Sequence, residues 1–214
     1  MKWTLYSMNK PIIVIGNGGH ASVLVETLVA QQREIKGYTA PQEEKNAFSL
    51  SYLGTDNVIA TYDPDEVGLV LGLGTVDVST IRKSIYEHFI AKGYTFTNVI
   101  HPTAIIASSV RIGRGVQIMA GAILQTNVSI ADNTIINTGS IIDHDGVIGS
   151  HVHLAPRVTL SGGVRIGDSC HVGTGVSIIQ GITIGDETLV GAGSVVVKNI
   201  GDRKTVYGVP AKEV

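Results

Sequence analysis

Ile106-Ala-Ser-Ser-Val110-Arg-Ile112-Gly-Arg-Gly-Val116-Gln-Ile118-Met-Ala-Gly-Ala122-Ile-Leu124 opens the run that decides the fold. Counting on in sixes lands on Ile130, Ile136, Ile142, Ile148, Leu154, Leu160, Ile166, Val172, Ile178, Ile184, Val190 and Val196, all aliphatic and without an insertion. Four residues after each comes a second column, mostly small or β-branched: Val110, Val116, Ala122, Val128, Thr134, Ser140, Gly146, Val152, Val158, Val164, Cys170 and Val176. A helix does not account for this. At roughly 100° per residue, six residues turn by about 240°, so the aliphatics would scatter over three faces. Six is an even step, and in extended chain the column keeps to one side. Periodicity of this kind specifies a parallel β-helix. Each hexad makes a short strand and a corner, and three hexads make a triangular coil with the aliphatics stacked inside. Sixteen hexads then give about five coils. The expected turn is left-handed, an exception to the right-handed rule for parallel crossovers.

Upstream the rhythm alternates strand and helix. Pro11 to Ile15 reads as a buried strand, Ala21 to Gln32 as a helix, Glu34 to Tyr38 and Glu66 to Leu73 as strands. A helix is expected from about Val76 to Lys92 and a closing strand over Tyr94 to Ile100. Such alternation implies a small parallel sheet, Rossmann-like in character. The chain therefore divides into an α/β domain over 1–100 and an all-β, left-handed parallel β-helix over 101–214.

Composition narrows the function classes. Of 214 residues, 43% are hydrophobic and 16% charged, which excludes a disordered or coiled-coil chain. A net charge of −2, with no basic stripe, argues against a nucleic-acid partner. Cys170 is the single cysteine, so no internal disulfide framework exists and a reducing compartment is expected. Met1 to Lys10 lacks secretory character, and no run approaches the ~20 apolar residues of a membrane span. A cytoplasmic location is the expectation.

Two short motifs carry chemistry. Asp143-His144-Asp145 sets an imidazole between carboxylates, and histidine is the natural base near neutral pH when a carboxylate orients it. Read alone, the three residues are better explained as a solvated corner with two acidic neighbours. Gly16-x-Gly18-x-x-Ala21 after a strand approximates a dinucleotide fingerprint, whose glycines let backbone N–H groups approach a diphosphate. An NAD site would also want an acidic residue at the end of the second strand; Tyr38-Thr39-Ala40 supplies none. Cys170 belongs to the second hexad column and reads as packing, so direct attack in a ternary complex is expected rather than an acyl-cysteine.

Gly16-Asn17-Gly18-Gly19-His20, His101-Pro102, Asp143-His144-Asp145 and Gly208-Val-Pro-Ala-Lys212, taken together, resemble the hexapeptide-repeat sugar O-/N-acetyltransferases. That family includes the UDP-4-amino-sugar N-acetyltransferases of bacillosamine synthesis and the sialic acid O-acetyltransferases. The resemblance implies an acetyl-CoA-dependent N-acetyltransferase acting on the 4-amino group of a nucleotide-linked sugar, with UDP preferred over dTDP or GDP. It makes His144 the base, Asp145 the residue that raises its basicity (family members usually carry Glu there) and Asn137 a polar group near it. By the same resemblance His153 contacts the thioester region. Gly173, Thr174, Gly191 and Ala192 lie along the pantetheine arm through main-chain groups. The loop Asn17, Gly18, Gly19 and His20, with Thr39 and Gly74, holds the nucleotide-sugar. Family members often carry acidic residues where Thr39 and Ala40 stand. The family packs as homotrimers with active sites between subunits, and no metal is expected. His171 and His151 read as exposed surface. The competing readings are O-acetylation of sialic acid or another sugar, a zinc β-helix enzyme using His144, His151, His153 and His171, and a non-catalytic scaffold.

Overall fold

A computed structural model describes residues 10–78 and 80–214. The reading of Met1 to Lys10 lies outside the described residues up to Asn9, and Ser79 lies outside them as well.

The first unit is a five-stranded sheet. Its strands are β1 (Ile12–Ile15), β2 (Ile35–Thr39), β3 (Tyr52–Gly54), β4 (Gly68–Leu71) and β5 (Thr95–Phe96), in the order β3-β2-β1-β4-β5 and parallel throughout. Helices α1 (Gly19–Ala30) and α2 (Ile81–Ala91) provide the crossovers. Continuous apolar runs such as Ile12 to Ile15 are what a central strand buried on both faces requires. All four residues of β1 are 0–1% exposed. Tyr86 and Phe89 of α2 close the core against Ile13, Leu69, Leu71 and Phe96.

Two expectations shift, and one strand was not foreseen. The helix expected from Val76 begins at Ile81, and Thr75, ahead of it, is bonded to His153. The strand expected over Tyr94 to Ile100 is two: Thr95–Phe96 completes the first sheet, while Val99–Ile100 starts a wall of the second unit. Strand β3, three residues long, shows too little periodicity to be read from sequence.

The second unit is the β-helix. Sixteen two-residue strands follow one another from Ile105–Ile106 to Val195–Val196, each ending on an aliphatic of the six-residue column. Up to Ser177–Ile178 each pairs in parallel with the strand eighteen residues on, as Ile123↔Ile141 and Leu124↔Ile142 do. The strands stack into three walls of six, five and eight strands. Both hexad columns form one continuous core, from Val110 to Val206. Hydroxyls in the second column are accommodated because they donate to carbonyls of the next coil: Thr134 Oγ1 to Gly149 O at 2.8 Å, Ser140 Oγ to Ala155 O at 3.0 Å. Buried polar groups persist where such a partner exists. Thr205–Tyr207 and Lys212–Glu213 extend the longest wall beyond the last hexad, the final pair antiparallel.

Chain division is not a single cut at residue 100. Met1–Gly74 with Ser84–Val99 makes one compact unit, and Thr75–Lys83 with Ile100–Val214 makes the other. The segment Thr75–Lys83 belongs with the β-helix because Thr75 bonds to its histidines.

Candidate active site

Corner geometry explains why Asp143-His144-Asp145 projects as it does. From Ile112 to Val190, the third residue after each core aliphatic takes a left-handed backbone conformation, as at Asn127, Asn133, Gly139, Asp145, His151, Arg157 and Gly163. Asn, Asp and Gly tolerate this region best. Asp145, with φ at 60°, occupies that corner directly after His144, and both side chains are 57% exposed.

His144 Nδ1 lies 2.8 Å from Asp145 Oδ2. A carboxylate only accepts, so Nδ1 carries the proton and the neutral ring keeps its lone pair on Nε2. Asp145 is itself held: Asn127, one coil earlier, donates from Nδ2 to Asp145 Oδ1 at 3.1 Å. The backbone is anchored too, with His144 N–H donating to Asp143 Oδ1 at 2.8 Å and Gly163 N–H donating to His144 O at 2.8 Å. The hydrogen bond that His144 donates to Asp145, with the charge of Asp143 in second place, raises the His144 pKa above its ordinary value. Reciprocally, the bonds from His144 and then Asn127 hold Asp145 below the usual carboxylate range. The result is an exposed imidazole, more basic than usual, with a fixed tautomer.

The sign of the pH dependence follows. Only the deprotonated ring takes a proton, so a reaction in which His144 is the base should quicken as pH rises through its pKa. Asp145→Asn removes the main cause of the elevation. In a titration of His144 by NMR, the midpoint is expected to fall in that variant, with the acid limb of the pH–rate profile moving the same way. An unmoved midpoint would show that Asp145 does not govern the ring.

Asn137 and His153 form a second group. Asn137 occupies the corner before the strand Ile141–Ile142 and His144 the corner after it. Asn137 Nδ2 is 3.1 Å from His153 Nε2, and His153 Nδ1 is 2.9 Å from the Thr75 carbonyl oxygen. Since a carbonyl accepts, the proton sits on Nδ1, and Nε2 accepts from the Asn137 amide. His171, stacked on His153 by strand register, meets it edge-to-face with ring centroids 5.0 Å apart. Both rings are 7% exposed. This corrects the expectation of a surface His171: its side chain leaves the coil outward, but Thr75 Oγ1 lies 3.4 Å from its Nδ1, and burial lowers its pKa. His151 is half-buried, bonded through Nδ1 to Asn133 Nδ2 at 2.9 Å.

At the next corners along that edge, a methyl group on Gly173 would fall 2.5 Å from Ala192 N, and one on Gly191 would strike the Tyr207 ring. The N–H groups of Gly173 and Gly191 donate to Val190 O and Val206 O. Main-chain contact to a ligand through those two amides therefore competes with the coil ladder, in which Thr174 O also takes part by accepting from Gly193 N–H. Cys170 is buried, donates from Sγ to Gly185 O, and its thiol is pushed up to about 12 mainly by burial. It is a packing residue. Among the described residues no three His, Cys, Asp or Glu side chains converge on one point, and no helix is long and apolar enough to cross a membrane.

In the first unit, Gly16 takes φ at 98° and its N–H donates to Thr39 O at 2.8 Å. Gly18 precedes α1 and no side chain caps the helix there. Asn17 donates weakly to Glu44 O at 3.4 Å. Gly19 begins α1, and the His20 ring lies against Gly74. Thr39 is fully buried and donates from Oγ1 to Asp56 Oδ1 at 2.6 Å. Asp56 went unread in the sequence. The end of β2 does have a carboxylate beside it, delivered from seventeen residues further on. The only linear signal was an Asp opening the short helical turn Asp56–Thr61.

The family model described as bacterial transferase hexapeptide (six repeats) matches residues 109–144, and that described as PglD N-terminal domain matches residues 11–89. Among solved structures, the chain is similar to PerB from Caulobacter crescentus, in complex with CoA and GDP-perosamine. Identity is 34%, coverage is 95% of this chain and 97% of that one, and the TM-score is 0.86. It is also similar to the acetyltransferase domain of PglB from Neisseria gonorrhoeae in complex with acetyl coenzyme A, at 32% identity over 96% and 100% of the two chains, with a TM-score of 0.89. WeeI from Acinetobacter baumannii shares the fold at 24% identity, covering 96% of this chain and 100% of that one, with a TM-score of 0.84.

Proposed function

The chain belongs to the hexapeptide-repeat sugar acetyltransferases that carry a PglD-type N-terminal domain, and from that premise we propose that it transfers an acetyl group from acetyl-CoA to the 4-amino group of a nucleotide-linked amino-deoxy sugar. The observation that carries the chemistry is the Asn127–Asp145–His144 chain, which ends on an imidazole nitrogen with an available lone pair. The amine lone pair attacks the thioester carbonyl carbon while His144 Nε2 takes the amine proton. Collapse of the tetrahedral intermediate breaks the C–S bond, and the imidazolium returns its proton to the departing thiolate. Asp145 stabilises the imidazolium in between. Asn137 and His153 hold each other in a single hydrogen-bonded arrangement at the neighbouring corner, where the thioester would lie. Gly173, Thr174, Gly191 and Ala192 line the course of the pantetheine arm. The loop Asn17 to His20, with Thr39 and Gly74, receives the nucleotide-sugar, its helix N-terminus favouring the diphosphate. A homotrimer with grooves between protomers is the proposed assembly.

Two relatives above 30% identity support this reading: one is in complex with CoA and GDP-perosamine, the other with acetyl coenzyme A. UDP is the proposed nucleotide. The test is release of free thiol from acetyl-CoA against a panel of UDP-, dTDP- and GDP-linked 4-amino sugars plus sialic acid, with product mass and base stability measured. A base-stable amide from an amino sugar, fastest with UDP, is expected. Turnover with sialic acid alone to a base-labile ester, or thiol release with no acceptor of the panel, would overturn the assignment.

A further inference from the structure

Gly162 stands one coil beyond His144, since 162 − 144 is the eighteen-residue step of the stacked strands. A methyl group built on its Cα would fall 2.5 Å from His144 Nε2 and 2.6 Å from Cε1. A non-bonded methyl carbon does not come within 3.0 Å of its neighbours without something moving. Other corner glycines are present for a different reason. Gly163 and Gly181 have φ at +68° and +71°, yet their absent side chains would meet nothing within 4 Å. There the backbone requires glycine and space does not. At Gly162 the backbone lies outside the left-handed region and accepts alanine, and the three atoms nearest to the added methyl all belong to the imidazole.

We propose that Gly162 is a positioning residue for acetyl transfer: its bare Cα is the seat on which the His144 ring lies, so that Nδ1 meets Asp145 while Nε2 stays available for the amine proton. The inference rests on His144 being the base. Any side chain at 162 occupies the place of the ring. The imidazole is at the exposed end of a flexible side chain, so the relief of the clash is rotation of the ring off its seat, away from Asp145. The core aliphatics Leu160 and Val164, on either side, are buried and undisturbed by that rotation.

The test compares Gly162→Ala, Gly181→Ala and His144→Ala by steady-state kinetics, pH–rate profile and thermal melting. General-base assistance contributes about 10²–10⁴-fold. Gly162→Ala is accordingly expected to lower kcat by about tenfold or more, with KM for both substrates little changed. Its acid limb should shift toward lower pH as the ring leaves Asp145. Its melting temperature should fall less than that of Gly181→Ala, in which an alanine is forced into a left-handed corner while turnover stays near that of the wild type. If Gly162→Ala keeps full kcat and an unmoved acid limb while His144→Ala is inactive, the role of Gly162 is refuted and the base assignment stands. If His144→Ala itself turns over normally, the base assignment falls first. If Gly162→Ala melts lower than Gly181→Ala with its acid limb in place, the residue is structural and the proposal is overturned.

Discussion

Replacing His144 with alanine is expected to reduce kcat by about 10²–10⁴-fold while acetyl-CoA still raises the melting temperature. The ring is exposed, and its Nδ1 contacts only a neighbouring corner residue, so its removal opens no cavity. What disappears is a proton acceptor more basic than an ordinary imidazole. Binding of acetyl-CoA stabilises the folded state in proportion to its saturation, whatever the fate of the chemistry. Inactivity with retained ligand-induced stabilisation therefore separates a lost base from a lost fold. Wild-type turnover would remove His144 from the mechanism.

Leu154→Ala is expected to cost about 2–5 kcal/mol, the range for truncating a large aliphatic in a packed core. Leu154 is fully buried between Ile136 and Val172, its register partners in the coils before and after. In a stacked repeat each coil is supported only by its neighbours, so a void in one column weakens two interfaces together. Leu154 also follows His153, whose ring bridges Asn137 and Thr75. Thermal or denaturant unfolding reads the loss, and by ~2–4 °C per kcal/mol for a chain of this size the shift is large. An unchanged melting temperature would mean that the aliphatic column is not a tightly packed seam.

Much of the candidate site was legible once the coil length was known. His144 stacks above Gly162, and Asn127 reaches Asp145 across the same interval; both pairs are eighteen residues apart. Adding or subtracting eighteen from any corner residue names its neighbour, so these supports were present in the sequence as arithmetic. The stacking of His153 on His171 follows the same rule. Their burial does not, because what covers them comes from a segment with no period.

The amino-acid sequence by itself determined the β-helix, the identity of its core columns and the corner that presents His144. A six-residue period acts locally: two extended residues and a left-handed corner repeat until the aliphatics of adjacent coils meet in register. Tertiary structure alone decided that Thr75 closes over the two stacked histidines and that Asp56 receives the Thr39 hydroxyl. Those contacts join residues 78 and 17 positions apart with no repeat to connect them. Such pairings depend on how unrelated segments fill space, and no local pattern encodes that.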